Sequence, residues 1–214
     1  RLYVGWFLVT YGVLLAVLAE PAGRLALPAD HGGRLGRLAE APDRRSFPQL
    51  TCLTALHLLY ATGIRVGELC ALEDARVDTE AGVIPILGKG SRERRVFLVD
   101  PALTRLIEGY RRARTRLHGP AGAFLVTAEG RPASPQYIRT LVRRAGERAG
   151  LRTRVTPHML RHTAATDLLN QGLDIRFVQK LLGHHSISTT EIYTQITDAH
   201  LRTALERTSA HSTA

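Results

Sequence analysis

A chain of 214 residues with 44% hydrophobic content can bury one well-packed domain with a fragment of a second, and its two cysteines, Cys52 and Cys70, exclude a disulfide framework and a cysteine metal site. Its formal charge of +10 and pI of about 10.5 exclude an acidic, cation-seeking surface and point to an anionic partner, nucleic acid first. Arginine written across the surface by a GC-rich genome is the competing explanation. The distribution argues against it, because residues 89–150 carry 14 Lys/Arg against 5 Asp/Glu and so hold +9 of the net charge. Sparse cysteine in apolar, helix-like surroundings suits a reducing, cytoplasmic setting.

Residue 1 is Arg, so the chain reads as a fragment or a processed form. Residues 2–19 are almost entirely apolar, yet Gly5, Thr10, Tyr11 and Gly12 thin that character, and the length is marginal for a bilayer. A membrane role is therefore the lesser reading, and residues 20–28 form a helix stop and linker. Residues 29–45, rich in Gly, Ala, Pro and Arg without periodicity, are a further linker. Ser46 and Gln49 form a capping-box pattern for a helix that runs to about Tyr60, and Gly63 breaks it. A short helix follows over 64–72. Val83–Leu87 and Arg95–Val99 read as strands joined by a Gly88-Lys89-Gly90-Ser91 turn, with Pro85 confining the first strand to an edge or bulge.

Asp100 and Pro101 start the next helix. Leu103, Leu106, Ile107, Tyr110 and Leu117 form its apolar stripe, and arginines 111, 112, 114 and 116 fan over its other faces. Phe124–Val126 is a short strand or an extended piece. Helices are expected from Ser134-Pro135 to Gly150, from Thr156-Pro157 to near Gly172, and from the Asp174 cap to Gly183. Ser188 to Glu191 forms a capping box just before Tyr193, and residues 198–206 have a helical pattern that ends in a polar tail at 207–214. The fold class is mostly α with a small antiparallel β-sheet.

Six residues carry the chemistry. His158 and Arg161 are three apart near one helix start, where free backbone N–H groups favour an anion; the arginine can fork two phosphate oxygens and the histidine can exchange a proton. Taken alone, His-x-x-Arg also fits an ordinary surface helix. Arg65 follows the Gly63 break, with Glu68 one turn on to orient it; alone, this fits a surface ion pair. The chain has only two lysines among 29 basic residues, Lys89 and Lys180. Arginine is effectively never deprotonated, so a lysine at a hairpin tip is the group able to act as an acid, although a flexible turn or a plain phosphate contact also accommodates it. Lys180 is expected to be DNA-facing or solvated. His184 follows a glycine at a helix end, where a C-cap is the alternative. Tyr193, one of six tyrosines, is a weak nucleophile unless a polarised phosphate and a proton acceptor stand beside it.

The block Ala61-Thr62-Gly63-Ile64-Arg65-Val66-Gly67-Glu68-Leu69, the Lys89 turn, Pro157-His158-Met159-Leu160-Arg161-His162, Leu182-Gly183-His184 and Tyr193 together resemble the catalytic domain of the tyrosine recombinases, the phage integrase family, in its Xer-like branch. The resemblance covers about residues 46–206 and matches all six active-site positions; its Leu-Leu-Gly-His spacing selects His184 over the adjacent His185, and His162 matches a common family residue just after the second arginine but is read as a helix brace. It implies the DNA breaking-rejoining fold and a site-specific recombinase or integrase acting on double-stranded DNA as a tetramer, with no small-molecule substrate, cofactor, ATP or metal. Tyr193 would attack the scissile phosphate to form a 3′-phosphotyrosyl link, while Arg65 and Arg161 neutralise the transition state. Lys89, with His158, would protonate the departing 5′-oxygen, and His158 is also placed to take the tyrosine proton. His184 would hydrogen-bond a phosphate oxygen. It further implies that residues 1–28 are the remnant of an N-terminal DNA-clamping domain and its linker, so site selection by this stretch alone would be weak. Two other readings share the fold: a DNA-binding pseudo-enzyme and a type IB topoisomerase-like enzyme.

Overall fold

The computed structural model describes residues 46–88, 93–119, 122–148, 151, 154–170, 172–183 and 205–206. The expectations for residues 1–45, the Lys89 turn, Gly150, His184, the Ser188 box and Tyr193 lie outside these residues, as does the tail apart from Leu205 and Glu206.

The first described helix, α1 (Phe47–Thr62), is the axis of the core. Its leucines 50, 53, 56, 58 and 59 are all buried, so it presents apolar side chains around most of its circumference rather than along one stripe. That pattern demands neighbours on several sides. They are α3 (Pro101–His118), α4 (Pro135–Arg148) and α5 (Pro157–Asn170). The polar groups that α1 buries are satisfied locally, since the hydroxyls of Thr51, Thr54 and Thr62 donate to carbonyls one turn back. The Phe47 ring stacks on Tyr110 of α3, whose hydroxyl accepts from the Val126 N–H at 2.9 Å. Burial pushes the Cys52 thiol up to about 12 and the Cys70 thiol to about 11, which keeps both protonated and inert.

Between α1 and α3 lie the short helix α2 (Val66–Cys70), a 3₁₀ turn (Asp74–Arg76) and the strands β1 (Val83–Leu87) and β2 (Glu93–Phe97). The strands pair antiparallel, with Val83 opposite Phe97 and Leu87 opposite Glu93. Among the described residues both strands of this ribbon are edges, which accommodates Pro85. β2 starts two residues earlier than the sequence pattern predicts, because pairing with β1 sets its register. Leu98 still donates to Gly82, but Val99 has left the ladder. Phe124–Val126 is no strand; it is buried and held by isolated bridges between Glu73 and Ala123 and between Val126 and Pro132.

The helix signals hold where they are local. Asp100 caps α3 through the Ala102 N–H, and Ser134 receives the Tyr137 N–H at the start of α4. Asp174 caps α6 (Ile175–Leu182), which ends at left-handed Gly183. Ser46 is an exception: its backbone is already right-handed helical, so it makes no side-chain cap and the predicted capping box is absent. The arginine fan on α3 also needs correction. Arg114 is buried and Arg111 half-buried, and both grip Asp74 of the 3₁₀ turn, while Arg112 and Arg116 are exposed.

Gly63 ends α1 with φ at 60°, and a Cβ there would run into Leu182 Cδ2 of α6. Both the conformation and the clash oppose a side chain. Gly63→Ala is expected to cost about 2–3 kcal/mol, from the left-handed backbone plus overpacking. A urea melt checks this; an unchanged midpoint would mean that α6 does not seat against this turn.

Candidate active site

Three guanidinium groups from distant parts of the chain meet where α1 ends and α6 stops. Arg161, in the second turn of α5, is only 6% exposed. Its Nη1 donates to the Gly63 carbonyl, and its Nη2 to the Leu182 carbonyl at 2.6 Å. One side chain thus satisfies two chain-end carbonyls that no helix turn can reach. Burial, with the charges of Arg65 and Arg94 beside it, lowers the Arg161 pKa to about 10, so the group stays charged at neutral pH.

Arg65 is the N-cap of α2, and its side chain is 45% exposed. Its Nη1 donates to Glu68 Oε1 at 3.0 Å and its Nη2 to the Gly183 carbonyl at 3.4 Å. Glu68 returns a capping bond by accepting the Arg65 backbone N–H at 2.9 Å. The two arginines of the predicted set, 96 positions apart in sequence, therefore bond to neighbouring carbonyls at the foot of α6. His158 stands exposed in the first turn of α5, where Thr156 accepts the Met159 N–H. His162 and Lys180 are exposed as well. Lys89, His184 and Tyr193 lie outside the described residues, with Lys89 between β1 and β2 and His184 immediately after Gly183.

The structure adds a residue that the sequence reading misses. Arg94 of β2 forks Glu68, with Nη1 to Oε1 at 2.9 Å and Nη2 to Oε2 at 2.7 Å, and its Nε donates to the Leu181 carbonyl at 3.1 Å. A signal existed: Arg94 has the same strand parity as buried Val96, and an inward-facing charge requires a partner.

Burial pushes the Glu68 carboxyl upward, but the hydrogen bonds from Arg94 and from the Arg65 backbone, with the Arg94 charge, outweigh it and hold the group at about 2. The folded pKa lies below the ordinary 4.5, so folding gains stability that is fully present above that value and lost as pH falls toward 2. Asp74 shifts the same way: the hydrogen bonds from Arg114 and Arg111 outweigh burial. Urea unfolding between pH 6 and about pH 2.5 is expected to show falling stability. Glu68→Gln should flatten part of that decline, and an unaltered slope would contradict the assignment.

A profile of the phage integrase family matches residues 34–200. The chain belongs to the phage integrase family. Among curated relatives, the tyrosine recombinase XerA of Pyrococcus furiosus is 41% identical over 155 residues, covering 70% of this chain and 52% of that protein. The tyrosine recombinase XerC of a Mycobacterium species is 39% identical over 194 residues, covering 88% and 61%. The chain thus spans about half to three fifths of the length of these relatives. Among solved structures, the crystal structure of XerA recombinase aligns with a TM-score of 0.60 at 31% identity, covering 88% of this chain and 65% of that one. XerH recombinase, bound to palindromic difH substrate in a post-cleavage complex, also gives a TM-score of 0.60, at 22% identity and covering 95% and 48%; that likeness bears on the fold alone. The mostly helical architecture with its small antiparallel sheet is the tyrosine recombinase catalytic fold. Among the described residues, no helix is long and apolar enough to cross a membrane.

Proposed function

We propose that this phage integrase family chain is a tyrosine-type site-specific recombinase or integrase that cleaves and rejoins double-stranded DNA. The observation that carries the reading is the convergence of Arg65 and Arg161 on the carbonyls of Gly63, Leu182 and Gly183. Each guanidinium has five donors and spends two on the described residues, so both retain donors for phosphate oxygens. The carboxylate of Glu68 neutralises only part of this cluster, which leaves a net positive site, and charge developing on a phosphorane is stabilised by such prearranged donors.

In this mechanism Tyr193 Oη attacks the scissile phosphorus, the bond to the 5′-oxygen breaks, and the 3′-phosphate is retained on the tyrosine. Lys89, with His158, gives a proton to the departing 5′-oxygen; in this reading His158 also accepts the tyrosine proton. His184 donates to a phosphate oxygen. Attack by a 5′-hydroxyl of another strand reverses the step, so the energy of the broken bond is conserved in the phosphotyrosine. We assign residues 46–206 to the catalytic domain, 1–28 to the end of a DNA-clamping domain and its linker, 29–45 to linker, and 207–214 to a tail. The partner is a DNA duplex, the working assembly a tetramer on paired sites, and the compartment the cytoplasm.

The test is covalent trapping on nicked duplexes from DNA flanking the gene, in EDTA. An SDS-resistant adduct that disappears in Tyr193→Phe supports the reading. An adduct that persists in that variant overturns it.

A further inference from the structure

Glu68 lies between two arginines of unequal exposure. The Arg94 side chain is 13% exposed and meets both carboxylate oxygens, whereas the Arg65 guanidinium meets only Oε1, with the Arg65 backbone N–H on Oε2. A carboxylate with a single arginine partner frequently adopts the two-point fork, a strong charge-assisted geometry. Here Arg94 occupies the fork from the interior side and Arg65 is left with one Nη1 contact. Arg94 is itself fixed, since its Nε is bonded to the Leu181 carbonyl and its Cδ and Nε pack against Gly183, 3.2 and 3.3 Å from the position a Cβ there would take.

We propose that Arg94 is a positioning residue that occupies Glu68 so that the Arg65 guanidinium remains available to the substrate phosphate. Without Arg94, the Glu68 carboxylate would draw Arg65 into the fork and compete with the phosphate for its donors. Arg94 therefore acts through two other side chains and touches no substrate. The proposal rests on the recombinase reading only for the identity of the anion, the scissile phosphodiester.

This competition makes a prediction that simple bracing does not. Arg94→Met should weaken anion binding, and adding Glu68→Gln should restore it, because the amide has no charge with which to hold Arg65. The test uses the full 214-residue chain and four proteins: the parent, Arg94→Met, Glu68→Gln and the double variant. The first readout is the rise in melting temperature produced by inorganic phosphate; the second is the rate of covalent adduct formation on nicked duplex. The rise should shrink in Arg94→Met and recover in the double variant, and adduct formation should fall roughly tenfold to a hundredfold and recover in step. Arg94→Lys keeps a cation but loses the fork, and it is the variant read if the methionine chain does not fold; its loss should be smaller and likewise relieved by Glu68→Gln.

The phosphate readout decides the proposal. No phosphate response in the parent, no loss in the Arg94 variants, or a double variant as impaired as Arg94→Met would each overturn it. The adduct readout decides the function: a parent that forms no adduct while its phosphate response follows the predicted pattern leaves the role of Arg94 standing and removes the recombinase reading.

Discussion

Arg161→Ala is expected to lower DNA cleavage about a hundredfold to a thousandfold, the usual cost of removing a prearranged donor from a developing oxyanion. The same change should destabilise the fold by about 2–6 kcal/mol, since the Gly63 and Leu182 carbonyls both lose a donor in a buried position and each unsatisfied group costs about 1–3 kcal/mol. In the proposed mechanism the two effects share one cause, because the side chain assigned to the phosphate also ties the end of α1 to the end of α6. Arg161→Lys tests this coupling. A lysine keeps the charge, but its three N–H donors radiate from one nitrogen and do not reproduce the planar fork that serves the two carbonyls from Nη1 and Nη2. It should recover little of the stability and little of the rate. Single-turnover cleavage beside urea melts separates the terms, and a lysine variant with full activity would show that charge alone suffices.

Asp74→Ala is the largest loss of stability expected away from the site. Asp74 pairs with Arg111 at 2.8 Å and with Arg114 at 2.8 Å, and Arg114 is 2% exposed. Arg114 also donates to the Ala123 and Phe124 carbonyls, so removing the carboxylate strands a buried cation among neutral acceptors. Breaking a buried pair from one side costs about 3–5 kcal/mol. Asp74→Asn keeps hydrogen-bonding capacity without the charge and should lose less. Equilibrium unfolding measures both, and an alanine variant as stable as the parent would contradict the buried pairing. Cleavage per folded molecule should be unchanged, because the contacts of this cluster run to the 3₁₀ turn and to residues 123–124.

These two sites also show what the sequence makes legible. Caps such as Asp100 and Asp174, and stops such as Gly63 and Gly183, are local, and they read correctly because a cap and its N–H lie within three residues of each other. The convergence of Arg65 and Arg161 was legible only through the family pattern, since no spacing rule brings together residues 96 positions apart. Arg114 misled because arginines on an amphipathic helix normally face water, and its partner Asp74 lies 40 residues away. Arg94 was overlooked for a related reason: its meaning depends on the register of β2, and the predicted strand began at Arg95. Once pairing with β1 places Arg94 on the face of Val96, its need for Glu68 follows.

In the proposed mechanism Tyr193 carries the DNA through a covalent bond at its oxygen. The most direct measurement is to digest the trapped adduct with nuclease and protease and to locate the nucleotide-bearing peptide by mass spectrometry. A 3′-linked nucleotide on the peptide that contains Tyr193, absent from the Tyr193→Phe chain, is the predicted result. A nucleotide on any other residue, or a 5′ linkage, would contradict the account.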